Sequence, residues 1–146
     1  LALGGLGVRA ALPLHAARDK TGALTTWSLR FLRRLDTLAC ACWIDGQGYP
    51  AIAPLIPMVA LHAGRVVLGR AAHAPEVHDL PAGTTLALLA LNLAMESVLV
   101  RGVLGPARGL PGVRTRALEL DTVYNSMPPQ QGRIFPRQPL RPITSF

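Results

Sequence analysis

Cys40 and Cys42, the only two cysteines, stand two apart in an alternating apolar run from Leu38 to Ile44. On a β-strand that spacing puts both on one face, with Cα atoms roughly 6.5–7 Å apart, the outer limit for a disulfide. Two thiolates do not complete a zinc site, so the pair reads as two small buried residues. His73, His78 and Asp79 form a second group of metal-ligand types, but no further ligand stands at a helpful spacing, and no metal site is read there. Trp43 has the flat surface to stack on an aromatic ligand, although a tryptophan on a strand more commonly packs in the core. Further on, Tyr124-Asn125 precedes Gly132-Arg-Ile-Phe-Pro136, the densest polar and aromatic motif of the C-terminal part.

The charge balance narrows the function classes. The chain carries a net charge of +7, and the positive residues are arginines apart from Lys20. They are scattered from Arg9 to Arg141, which reads as ordinary surface chemistry. A nucleic-acid-binding barrel needs aromatic side chains on a strand face to stack bases. The two Trp, two Tyr and three Phe are not interleaved with arginines on any one strand, so nucleic acid is not expected as a partner. Half of the residues are apolar and 16% are charged, a globular composition, and 146 residues suit a single domain with a real core. The apolar opening, Leu1 to Leu14, is interrupted by Arg9 and lacks the organisation of a signal peptide. The most apolar window, Thr84 to Val100, holds Asn92 and Glu96 near its middle. A spanning helix would tolerate these poorly, whereas two strands with a bend between them explain the window. The expectation is a soluble, cytoplasmic protein with no membrane partner.

The elements that must position these residues follow from period and punctuation. Leu24, Trp27, Phe31 and Leu35 recur at helical spacing, which predicts an amphipathic helix over 24–35, capped by Thr25 or Thr26, with Arg30, Arg33 and Arg34 on its solvated side. Leu38 to Ile44, the turn Asp45-Gly-Gln-Gly48, a long extended segment from Tyr49 to Leu61, His62-Ala-Gly64 and Arg65 to Leu68 predict an antiparallel meander. Pro75 and Glu76 open a short helix that closes at Pro81. Strands are predicted over Thr84 to Leu91 and Ser97 to Val103, and Gly105 to Gly112 reads as a surface loop. Ala117 to Tyr124 reads as a strand with Leu118, Leu120, Thr122 and Tyr124 on one side. The Pro-rich tail reads as extended or irregular. The whole is a mainly β, six-stranded antiparallel barrel, with an irregular arm over 1–23, the barrel over 36–124 and the extension over 125–146.

This arrangement resembles the pyridoxamine 5′-phosphate oxidase-like split barrel. The helix, the strand that enters Asp45-Gly-Gln-Gly-Tyr-Pro50, Val66 to Leu68, the short helix, and the strand ending at Gly102 carry the likeness, over roughly 24–103. The resemblance implies a homodimer with FMN at the interface and activity as an oxidoreductase on a small molecule. In that family basic and hydroxyl side chains hold the flavin phosphate. Here the basic positions of the second strand fall near Ala53 and Met58, leaving Arg70 as the substituting cation, with His73 or His78 as secondary donors. The resemblance places Ser97 near the flavin ring and Tyr124 and Arg133 on the substrate side, so the implied cofactor-binding set is Arg70, His73, Ser97, Tyr124 and Arg133. The alternative is a split-barrel dimer without FMN that binds haem or another ligand, or none.

Overall fold

The structure, a computed structural model, describes residues 22–55, 58–70, 75–109, 114–125 and 132–137. A helix α1 (Thr26–Phe31) leads into β1 (Leu38–Ile44), β2 (Pro50–Pro54), β3 (Met58–His62) and β4 (Arg65–Gly69). A second helix, α2 (Pro75–Asp79), precedes β5 (Thr85–Leu91), β6 (Ser97–Arg108), β7 (Thr115–Asn125) and β8 (Gly132–Phe135). All eight strands join one sheet, in the order β2-β1-β5-β6-β7-β4-β3, with β8 also beside β7. Every pairing is antiparallel.

The curvature of the sheet follows from its connectivity. β2 and β3 lie at opposite ends of the strand order, yet Pro54 and Met58 are only four residues apart. Four residues span at most about 15 Å, whereas six strand intervals in a flat sheet cover about 29 Å. The sheet therefore has to curl until its two edges approach, which makes an open barrel split between β2 and β3.

Among the described residues eight strands replace the six expected, for two reasons. The extended segment Tyr49 to Leu61 is two strands rather than one, because Pro54 ends the first and pairing with β4 begins only at Met58. Part of the tail also forms a strand. β4 pairs with β7 only as far as Arg65↔Glu119, which leaves that side of Val123 to Asn125 open for β8.

Alternation decides the core. Ala39, Ala41 and Trp43 of β1, Leu86, Leu88 and Ala90 of β5, and Val98, Val100 and Leu104 of β6 face inward and are buried. Trp43 is thus a core residue. β7 departs from simple alternation. Arg101 pairs with Thr122 and Gly102 with Leu120, so Asp121 is an extra residue, a bulge. One inserted residue exchanges the faces. Leu118 and Val123 are therefore both buried, while Tyr124, expected on the side of Leu118, points outward. Gly102 is required at this crossing: a Cβ there would lie 2.1 Å from the Glu119 carbonyl oxygen.

β6 also runs further than expected, to Arg108, through the segment read as a loop. A second irregularity between Leu104 and Ala107 accommodates Pro106, and the Arg116 side chain takes up the Gly105 carbonyl that the bulge frees from the ladder.

The leading helix is shorter than the 24–35 expected. Thr25 caps it, its hydroxyl accepting from Ser28 N at 3.3 Å, and Trp27 stacks on Phe31. Leu24, Phe31 and Leu32 are buried. The helix stops at Phe31, so Leu35 falls in the following turn and is 85% exposed. Arg33 is exposed, as its spacing predicts, and also donates to the Ala60 and Leu61 carbonyls at 2.8 and 2.7 Å, which ties the helix end to β3. None of the described helices is long and apolar enough to cross a membrane. Residues 1–21 of the N-terminal arm, His73 and most of the C-terminal extension lie outside the described residues.

Candidate functional site

The residues read as ligand-binding fall into two groups, at opposite ends of β7. At its C-terminal end, Ser97 begins β6, and its hydroxyl donates to the Asn125 side-chain oxygen at 3.0 Å. Asn125 is buried. Beside it Tyr124 faces Leu99 on one neighbouring strand and Arg133 on the other. Three of the five expected residues, Ser97, Tyr124 and Arg133, are thus brought together by β6, β7 and β8. The turn that delivers the chain to Ser97 is built by Asn92, whose Oδ1 accepts from the backbone N–H groups of Ala94 and Glu96.

At the other end, Arg70 follows β4, and its backbone N–H donates to the Arg114 carbonyl at 3.3 Å. Its side chain is exposed. From Thr115 to Asn125 an extended strand covers about 33 Å, so Arg70 and Tyr124 do not meet within one chain.

The Arg70 end carries two buried polar residues. Arg116 is 4% exposed, and its guanidinium donates to the Gly105 carbonyl at 2.9 and 2.7 Å and to the His78 carbonyl at 2.9 Å. It also donates to the Leu80 carbonyl. Burial lowers its pKa, opposed by Asp79. The His78 side chain is buried as well, among Leu55, Leu68, Gly69, Val77 and Arg116. Burial pushes its pKa below the ordinary histidine value, reinforced by the charges of Arg116 and Arg70 and opposed by a backbone hydrogen bond at Arg114 and by Asp79. His78 is therefore a neutral interior group rather than an exposed donor to a phosphate. Arg116 was not singled out in the sequence. Its signal was the alternation Arg116, Leu118, Leu120, which puts an arginine in phase with core leucines.

Between the two ends lies an apolar outer face. Pro54, Cys40, Leu89, Leu99, Tyr124 and Arg133 form one cross-strand row over six strands. Ile52, Cys42, Ala87, Arg101 and Thr122 form the next. Both cysteines are free and half-buried on this face. They are not in the core as expected, because Ala39, Ala41 and Trp43 occupy the inward positions of β1. Ile52 is 71% exposed, and Leu38, Ile44, Leu89, Leu99 and Val103 are also exposed. The charges on this face are paired: Arg101 donates to Asp121 at 2.9 Å. Burial raises the Asp121 pKa, but hydrogen bonds from Thr122 and Arg101 outweigh it and hold the carboxyl below its usual value. Among the described residues no three His, Cys, Asp or Glu side chains converge on a metal position.

No protein-family model and no curated protein matches the chain. Solved structures do. A candidate pyridoxamine 5′-phosphate oxidase of Lactobacillus delbrueckii is similar with a TM-score of 0.54 at 18% identity, over 73% of this chain and 98% of that one. HupZ of Group A Streptococcus is similar with a TM-score of 0.58 at 12% identity, over 75% of this chain and 97% of that one. A single-residue variant of HupZ gives 0.54 at 12% identity, over 68% and 97%. At these identities the likeness is one of fold. The open antiparallel sheet thus has a split-barrel-like fold, similar to the folds of these proteins over nearly their whole length.

Proposed function

We propose that the chain is a homodimeric split barrel that holds a flavin, FMN, in a groove between two copies. The observation that carries this reading is the apolar outer face of β1, β5 and β6, which links two polar clusters too far apart to serve one small ligand within a chain. An isologous contact through that face repeats each cluster on both sides of a two-fold axis. The Arg70 end of one copy and the Ser97, Tyr124 and Arg133 end of the other then border one groove. Contiguous exposed apolar surface on this scale is the ordinary mark of such an interface.

The residues present fit the ligand at two points. Arg70 is an exposed guanidinium suited to a phosphate. The Ser97 hydroxyl spends its proton on Asn125, so its oxygen lone pairs accept an N–H from a planar ring. Bound flavin supplies the two-electron chemistry, while the chain orients it, excludes water with its aliphatic strands and leaves Tyr124 and Arg133 to contact a small substrate.

Two observations favour the second reading, a dimer without FMN that takes haem or another ligand. Ala53 and Met58, where the resemblance places phosphate-binding cations, are apolar and buried in the core. His78, read as a secondary donor, is buried too. One experiment separates the readings. The untreated protein is expected to absorb near 450 nm, to release the chromophore on denaturation and to have the solution mass of a dimer. A colourless dimer that gains no flavin on titration leaves the second reading, and a monomer removes both.

A further inference from the structure

We propose that His78 and Arg116 form an acid-sensitive latch that holds α2 against the end of the barrel beside Arg70. The five residues of α2 are too few to be helical alone. What holds the helix is tertiary: Val77 is buried, and Arg116, from β7, donates to the carbonyls of His78 and Leu80 at the helix end. The same guanidinium grips Gly105 of the β6 bulge, so one buried side chain joins α2, β6 and β7.

The imidazole of His78 lies within this clamp. Its Nε2 is buried and has no hydrogen-bond partner among the described residues. The surrounding side chains from β4 and α2 and from Leu55 after β2 are apolar: Leu55, Leu68 and Val77. The charged groups that act on it are Arg116 on β7, Arg70 after β4 and Asp79 on α2 itself, with a backbone hydrogen bond at Arg114. Two of these three charges are positive. A protonated ring would carry an unpaired N–H into an apolar lining and a second cation beside Arg116. Swinging α2 into water relieves both costs.

The direction in pH follows. The closed state keeps His78 neutral with a depressed pKa, and the opened state restores the ordinary value near about 6.5. The open state then binds more protons. Closure is complete above that value and is lost as pH falls through it toward the depressed pKa. With one proton linked, the opening constant rises at most about tenfold per pH unit.

Hydrogen exchange of the full chain tests the latch. After correction for intrinsic rates, exchange of the amides over 76–80 should rise as pH is lowered from 7.5 to 5, while β1 and β5 amides keep their protection. In His78→Leu, neutral at every pH, the α2 response should be flat, and Asp79→Asn should retain it. The latch is overturned if α2 does not respond, if β5 opens in step with it, or if His78→Leu keeps the slope. Should that variant not fold, an NMR titration of the wild-type imidazole decides. A midpoint below 6.5 that coincides with the α2 amide changes supports the latch, and one at or above 6.5 overturns it. None of these readouts involves flavin, so the latch and the ligand reading fail separately.

Discussion

Arg70 lies against the first residues of β7, through its backbone bond to Arg114, and Tyr124 lies at the far end of the same strand. An outer face of aliphatic side chains connects them. The relationship makes one chain insufficient for a site that uses both residues, and it directs the first experiments to the face itself.

Leu89 sits in the middle of that face, opposite Cys40 and Leu99. Because its side chain points away from the core, Leu89→Arg should leave folding intact and place two buried cations at the proposed two-fold contact. Sedimentation is expected to show a monomer with wild-type circular dichroism.

Arg70→Gln should preserve the mass and the melting temperature, since the side chain is exposed. A charge-assisted hydrogen bond contributes about 1.5–3 kcal/mol. On the proposed reading, flavin affinity should therefore weaken by about ten- to a hundredfold, measured by fluorescence titration.

Gly102→Ala tests the bulge that turns Tyr124 outward. The new methyl would meet the Glu119 carbonyl, so β6 and β7 must part locally. A loss of at least about 2 kcal/mol in urea unfolding is expected.

Arg116→Met keeps the volume of the side chain but leaves the Gly105, His78 and Leu80 carbonyls without their donor. Buried acceptors left unsatisfied cost about 1–3 kcal/mol each. The total should be smaller than the sum, because α2 opens to water instead, so about 3 kcal/mol is expected, with exchange over 76–80 raised at neutral pH.

The Arg101–Asp121 pair is half-exposed and screened by solvent. Asp121→Asn should cost less than about 1 kcal/mol, and less again in high salt. Since the folded carboxyl has a lowered pKa, the contribution is present above the ordinary value near about 4 and disappears as pH falls through the lowered one. The difference in melting temperature between wild type and Asp121→Asn should shrink steadily as pH falls below about 4.

Much of the barrel was legible because its signals are local. The Asp45 carboxylate accepts from the N–H groups of Gln47 and Tyr49, both at 2.9 Å, and so builds the turn that the Asp-Gly pattern announces. Alternation located β1, β5 and most of β7, and Thr25 capped its helix. Local pattern failed where one residue serves a distant strand. The helical spacing carried on to Leu35, but the helix ends at Phe31 and Arg33 reaches across to β3. The Gly and Pro of 105–106 read as a loop, yet Arg116, eleven residues on from Gly105, supplies the hydrogen bonds that let β6 continue.

The chain's own order of residues determined where β1, β4, β5 and most of β7 lie, where the first hairpin turns and that the core is built from Leu, Val and Ala. Those follow from side-chain period and backbone preference, which act over a few residues. Tertiary structure alone decided that β4 joins β7, that Asp121 reverses the faces so Tyr124 points out, and that His78 and Arg116 share one interior. These depend on which strands meet across the closed sheet, and loop closure between distant segments leaves no mark on local sequence.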